Sequence, residues 1–119
     1  MLPRLSNVPQ LNNVVSDYLS ELQKQHFEGD IASNYADRLS LATDNSVYQQ
    51  LPQAILFPKS VADVVRITKL ANKEKYLHLT FTPRGGGTGT NGQSINNNVI
   101  VDLSRHMTGI LELNIEERW

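Results

Sequence analysis

The run Arg84-Gly-Gly-Gly-Thr-Gly-Thr-Asn-Gly92 sets glycine at positions 85, 86, 87, 89 and 92, and no other stretch so narrows what this chain can build. A segment this poor in side chains cannot form a packed helix or strand, because glycine loses the most conformational freedom on ordering and has nothing to bury. It is a loop, yet a tight turn needs only one or two glycines. The surplus suits a backbone that closes around an anion, where consecutive N–H groups form a concavity that no Cβ obstructs. Thr88, Thr90 and Ser94 add hydroxyl donors, and Arg84 adds a charged one.

The flanks decide which kind of loop this is. Residues 87–92 satisfy the GxGxxG pattern, but dinucleotide-binding folds of that type need a helix opening directly after the glycines. Here the glycines are followed by Gln93-Ser-Ile-Asn-Asn-Asn98, a turn-forming run, and then by Val99-Ile-Val-Asp-Leu103, which reads as a short buried strand. A Walker A loop fails separately, since no Lys-Ser or Lys-Thr follows the glycines. The expectation is a strand-loop-strand phosphate cradle serving a nucleotide cofactor.

Upstream, Leu11, Val14, Val15, Tyr18, Leu19 and Leu22 make one stripe of an amphipathic helix over about 10–26. Gly29-Asp30 breaks it, and residues 32–43 suit a second helix with Tyr35, Ala36, Leu39 and Ala42 on a shared face. Residues 1–48 therefore read as a helical extension, and residues 49–119 as a second region. Residues 54–57 form a short apolar strand stopped by Pro58. Ser60 with Asp63 resembles a capping box, and Val61, Val64, Val65, Thr68 and Ala71 are expected to be the buried face of the next helix. Lys69, Lys73 and Lys75 suit its last turns. Residues 77–82 then make a strand leading into the loop, 110–114 another, and 115–119 a turn. Strand, helix, strand, loop and strand in that order define an α+β fold containing an α/β unit.

Composition excludes several functions. With 11 basic and 12 acidic side chains, net −1, no electrostatic footprint for nucleic acid exists. The absence of cysteine removes disulfides and thiolate metal sites. No apolar run is long enough for a signal peptide or a membrane span, so a cytoplasmic location is the default. His26, His78 and His106 lack metal-ligand spacing, and no metal site is expected. His106 is read as a surface or hydrogen-bonded residue in preference to one at a cofactor edge, and Asp102 as a structural acceptor. Asp44 and Tyr48 are expected to pack, and Glu112, Glu116 and Glu117 to be solvated. No nucleophile with a paired base appears, which disfavours a hydrolase.

The stretch from Pro83 to Ser94, followed by Val99-Ile-Val-Asp-Leu-Ser104, resembles the pyrophosphate loop and next strand of FAD-linked oxidases of the vanillyl-alcohol oxidase/p-cresol methylhydroxylase (PCMH) type. Asp44-Asn-Ser-Val-Tyr48, Leu51-Pro52, Ala54-Ile-Leu-Phe-Pro58 and the helix opening at Ser60 resemble the segment that leads into that flavin domain. Within the family the chain is most similar to bacterial FAD-linked D-2-hydroxy-acid dehydrogenases, of the D-lactate and D-2-hydroxyglutarate type. The resemblance covers roughly residues 30–119. It implies the first part of a PCMH-type FAD-binding domain within a larger enzyme. Arg84, Gly85, Gly86, Gly87, Thr88, Gly89, Thr90, Asn91, Gln93 and Ser94 would hold the FAD diphosphate, with no catalytic residue in this stretch. Berberine-bridge-type members carry a flavin-attaching histidine where Thr88 stands, so FAD is expected to be non-covalent. The small 2-hydroxy-acid substrate would bind in a domain this chain lacks. Any iron-sulphur cluster would lie beyond Trp119, and the electron acceptor would set any contact with the inner membrane. Two alternatives stand beside this reading: a non-catalytic phosphate- or nucleotide-binding or interaction module, and a flavin-dependent sugar or alcohol oxidase.

Overall fold

A computed structural model describes residues 12–119, so Leu11 and the start of the expected first helix lie outside the described residues. In chain order the elements are α1 (Asn13–Lys24), β1 (Asp30–Ala32), α2 (Tyr35–Ser40), β2 (Ala54–Phe57), α3 (Val61–Ala71), a 3-10 turn at Glu74–Tyr76, β3 (Phe81–Arg84) and β4 (Val99–Asp102). The four strands form one sheet in the order β1-β2-β4-β3. β2, β4 and β3 run parallel, with Ile55 opposite Ile100 and Thr82 opposite Ile100, while β1 pairs antiparallel with β2.

Burial explains the two central strands. Ala-Ile-Leu-Phe of β2 and Val-Ile-Val-Asp of β4 are buried at every position, as expected of strands covered on both faces. Alternation along them divides the core in two. Ala54, Leu56, Val99 and Val101 meet Val15, Tyr18, Leu19 and Leu22 of α1 and Ile67 and Leu70 of α3. Ile55, Phe57 and Ile100 face the other way, towards Ala32 and Leu41. Pro83 is tolerated in β3 because that strand is an edge.

α1 is capped by the Asn12 side chain, which accepts from the Val14 amide; of its expected apolar stripe Val15, Tyr18, Leu19 and Leu22 pack, while Val14 is exposed. Tyr18 joins the helices to each other: its hydroxyl donates to the Ile67 carbonyl at 2.8 Å, and its ring meets Tyr76 edge-on. Burial pushes the Tyr18 hydroxyl pKa well above its usual value, with Tyr76 adding to the rise.

Several expectations are corrected. The second helix is a short Tyr35–Ser40 segment, because Asp30–Ala32 is drawn into the sheet beside β2 and Asn34 caps the helix late. Of its expected apolar face, Ala42 is buried just past the helix while Tyr35, Ala36 and Leu39 are exposed; Arg38 is buried within the helix, its Nε donating to the Pro52 carbonyl at 2.7 Å. In α3 the buried residues are Asp63, Ile67 and Leu70; of the expected face Ala71 packs against the core, whereas Val61, Val65 and Thr68 face outward. The Ser60 hydroxyl does cap α3, accepting from the Asp63 amide. The Asp63 carboxylate, however, accepts from the amides of Glu28 and Lys59 and from Arg66, so it staples the chain before β1 to the start of α3. The strand expected at 77–82 begins only at Phe81, after the 3-10 turn. Lys73 and Lys75 lie past the end of α3 and pair with Glu21 and Asp17 of α1. Finally, 110–114 forms no strand. Ile110, Leu111 and Leu113 are exposed, and no neighbouring strand is available to pair with them among the described residues. The turn at 115–118 does form, closed by Asn114 and Trp119 exchanging two backbone hydrogen bonds.

Candidate functional site

Parallel neighbours are usually joined by a helical crossover. β3 and β4 are joined instead by the loop 85–98, which leaves the carboxyl end of β3 carrying all the glycines but Gly29 and Gly109. Its return is pinned by buried Asn96, whose side-chain NH2 donates to Thr82 Oγ1 at 2.6 Å and to the Val99 carbonyl at 2.9 Å. The Asn96 side-chain oxygen accepts from the Asn98 amide. Asn96 therefore holds the far end of the loop, a role hidden in sequence among three consecutive asparagines.

The leading half of the loop is built differently. From Gly85 through Thr90, no backbone amide donates to an acceptor among the described residues. The next amide, Asn91, donates to Gln93 Oε1 at 3.0 Å, which closes the run. A series of unpaired N–H groups on a segment with almost no side chains is an anion-binding concavity.

The glycines divide by reason. Gly87 (φ +68°) and Gly92 (φ +76°) occupy the left-handed region that disfavours a side chain. A Cβ at Gly87 would also sit 2.6 Å from Arg84 Nη2. At Gly85 a Cβ would meet nothing within 4 Å, and at Gly86 only a methyl of Thr88 at ordinary contact distance. Neither of those two has a positive φ, so the protein's own fold does not explain why they are glycine. Space kept clear beside unpaired amides fits a bound group. Arg84 agrees: its Nη1 is buried and has no hydrogen-bond partner, an orphaned cationic donor at the root of the loop.

The ten expected residues fall into two groups. Arg84 and the backbone from Gly85 to Thr90 form the open cradle, with Thr88 and Thr90 exposed on it. Asn91, Gln93 and Ser94 frame it, since Gln93 is engaged by the Asn91 amide and the buried Ser94 hydroxyl donates to Asp44 at 3.2 Å. The other expectations are also placed. His106 Nε2 lies 2.7 Å from Asp30 Oδ2, tying the segment after β4 to β1, and Arg105 stacks on Phe57 beside it. Asp102 accepts from the Ser104 amide and hydroxyl, the structural role expected of it. No group of three or more metal-ligating side chains occurs among the described residues, and no described helix is long and apolar enough to cross a membrane.

An apolar concavity lies elsewhere. It is an open groove of about 450 Å³ beside the edge strand, lined by Val64, Ile67, Phe81, Val101 and their neighbours, with no titratable side chain.

An α+β sheet unit with an amide-lined, arginine-rooted loop at a strand's carboxyl end has the form of an anion-binding module. Residues 52–119 match the FAD_binding_4 family, described as an FAD binding domain, and the chain belongs to that family. It is 78% identical over 119 residues to a D-2-hydroxyglutarate dehydrogenase of Haemophilus influenzae, and 56% identical to one of Escherichia coli. Each alignment covers 100% of this chain and 12% of the relative, so the chain spans about an eighth of the length of these proteins. Among solved structures, alkyldihydroxyacetonephosphate synthase superposes with a TM-score of 0.71 at 20% identity, covering 97% of this chain and 24% of that one. A Physcomitrella patens BBE-like 1 protein gives a TM-score of 0.52 at 21% identity, covering 75% and 19%. These likenesses agree with the α+β fold expected from the sequence.

Proposed function

We propose that this chain anchors FAD non-covalently, through its diphosphate, in a flavin-dependent dehydrogenase that oxidises a D-2-hydroxy acid, D-2-hydroxyglutarate being the first substrate to test. The observation that carries the reading is the run of unpaired amides from Gly85 to Thr90 beside the orphaned Arg84 Nη1. Bound FAD would supply the two-electron acceptor; this chain's residues bind and orient it. The amides and Arg84 would meet the diphosphate charge, Thr88 and Thr90 would add hydroxyls, and Asn91, Gln93 and Ser94 would hold the frame. Charge-assisted hydrogen bonds of this kind contribute about 1.5–3 kcal/mol each. Thr88 has no nucleophilic ring nitrogen, which supports non-covalent binding.

The same proposal takes residues 1–48 as an extension and 49–119 as the opening portion of the flavin domain, with α1 and β1 of the extension sharing its core. Substrate, electron acceptor and any iron-sulphur module belong to regions outside this chain. The similarity to D-2-hydroxyglutarate dehydrogenases along the whole chain supports this reading over a stand-alone phosphate-binding module or a sugar oxidase.

The test is the visible spectrum of the purified full-length protein. Flavin bands that bleach on adding D-2-hydroxyglutarate are the expected result. The double variant Gly85→Val/Gly86→Val, placed where the fold itself has room, should purify folded and colourless. A yellow double variant would remove the diphosphate from this loop.

A further inference from the structure

The segment before β2, outside the residues that match the FAD binding domain family, grips the loop at three points. The Asn45 amide donates to the Gly87 carbonyl at 3.0 Å. Asp44 Oδ2 accepts from the Ser94 hydroxyl. The Tyr48 ring lies against Gly92, so closely that a Cβ there would come within 3.2 Å of it. The segment is itself rigidly folded. Asp44 Oδ1 accepts from the Ser46 amide, Ser46 Oγ from the Tyr48 amide, and a Thr43–Gln49 bridge with Gln50 N–H to the Ala42 carbonyl closes its base.

The contact at Gly87 has a consequence for the cradle. The peptide between Gly87 and Thr88 is planar and trans, so its N–H points opposite to its C=O. With the Gly87 carbonyl held by Asn45, the Thr88 amide is directed away from the 44–48 turn and stays unpaired. A glycine at φ +68° would otherwise let that peptide rotate cheaply. Asp44 also attracts Arg84.

We propose that the Asp44–Tyr48 turn is a positioning element of the phosphate site, fixing the Gly87–Thr88 peptide and the Gly92–Ser94 end of the loop so that the cradle amides are aligned before the diphosphate arrives. This rests on the assignment of the loop to the FAD diphosphate. Asp44, Asn45 and Tyr48 are positioning residues; none needs to touch the cofactor.

The test uses the full-length protein, stripped of flavin and titrated with FAD, alongside thermal melting of each FAD-free form. Asp44→Ala should raise the FAD dissociation constant about tenfold, the loss of one aligned charge-assisted contact. Asp44→Asn, which keeps an acceptor for the Ser46 amide and offers an NH2 to the Ser94 hydroxyl, should recover most of the affinity. Tyr48→Ala removes a half-exposed ring outside the core and should weaken FAD about threefold without altering the melting temperature. Unchanged FAD affinity in Asp44→Ala and Tyr48→Ala, with affinity lost in Gly85→Val/Gly86→Val, would overturn the positioning role and leave the loop assignment standing. Unchanged affinity in all of them would overturn both. Affinity that falls only in variants whose FAD-free melting temperature also falls would reduce the turn to ordinary packing.

Discussion

The helix-covered face of the sheet and the glycine loop at its end obey opposite rules. On the helical face buried polar groups are paired: Tyr18 bonds Ile67, and Asp63 collects three donors. On the loop, amides stand unpaired, an arginine nitrogen is orphaned and two glycines border empty space. The first region satisfies its buried polar groups from within. The second leaves donors for a group that the described residues do not supply, which is how a binding site differs from a core of the same chain.

Substitutions should separate the two, and the largest effect belongs to the helical face. Tyr18→Ala should cost about 3–5 kcal/mol in denaturant unfolding, since it deletes a buried ring and its hydrogen bond. The cradle geometry should not enter that number. Asp63→Ala should cost about 3 kcal/mol by leaving buried donors without an acceptor. Burial pushes the Asp63 carboxyl up, but hydrogen bonds from the Lys59 and Glu28 amides and from Arg66 outweigh it and hold the pKa below the usual range. A depressed folded pKa stabilises above the unfolded value, near 3.9, and that contribution is lost as pH falls through the folded value. Part of the acid destabilisation below about pH 4 should therefore vanish in Asp63→Asn, as a shallower fall of stability with pH.

The loop should respond with small and oppositely signed changes. Gly87→Ala should destabilise the FAD-free protein by about 1–2 kcal/mol, because a side chain is strained at positive φ and meets Arg84. Gly86→Ala should be neutral or stabilise it by up to about 1 kcal/mol, by restricting the unfolded chain where the native conformation accepts a Cβ. If Gly86→Ala instead destabilised the FAD-free protein as much as Gly87→Ala, the space beside Gly86 would be structural, and the contrast between the two regions would fail.

Much of this was legible in the chain. The α1 stripe, the strands at 54–57 and 99–102, the Ser60 cap and the absence of a helix after the glycines all rest on local periodicity, capping and turn chemistry, which act over a few residues. The misreadings share one cause. Valines 61, 64 and 65 with Thr68 and Ala71 form as good a stripe as Asp63, Ile67 and Leu70, and only the position of α1 over the sheet selects the second. Residues 30–32 became a strand because β2 offered an edge, and 110–114 did not because none was offered. Asp44, Asn45 and Tyr48 carried no local signal of contact with a loop some forty residues later.

By itself the sequence determined that the chain holds a glycine-rich loop between strands, because glycine content and flanking strand patterns are local chemistry. Tertiary structure alone decided which amides of that loop stay unpaired and what holds them so. Those facts depend on partners distant in sequence, such as Asn45 for Gly87 and Thr82 for Asn96, that only folding brings within hydrogen-bond reach.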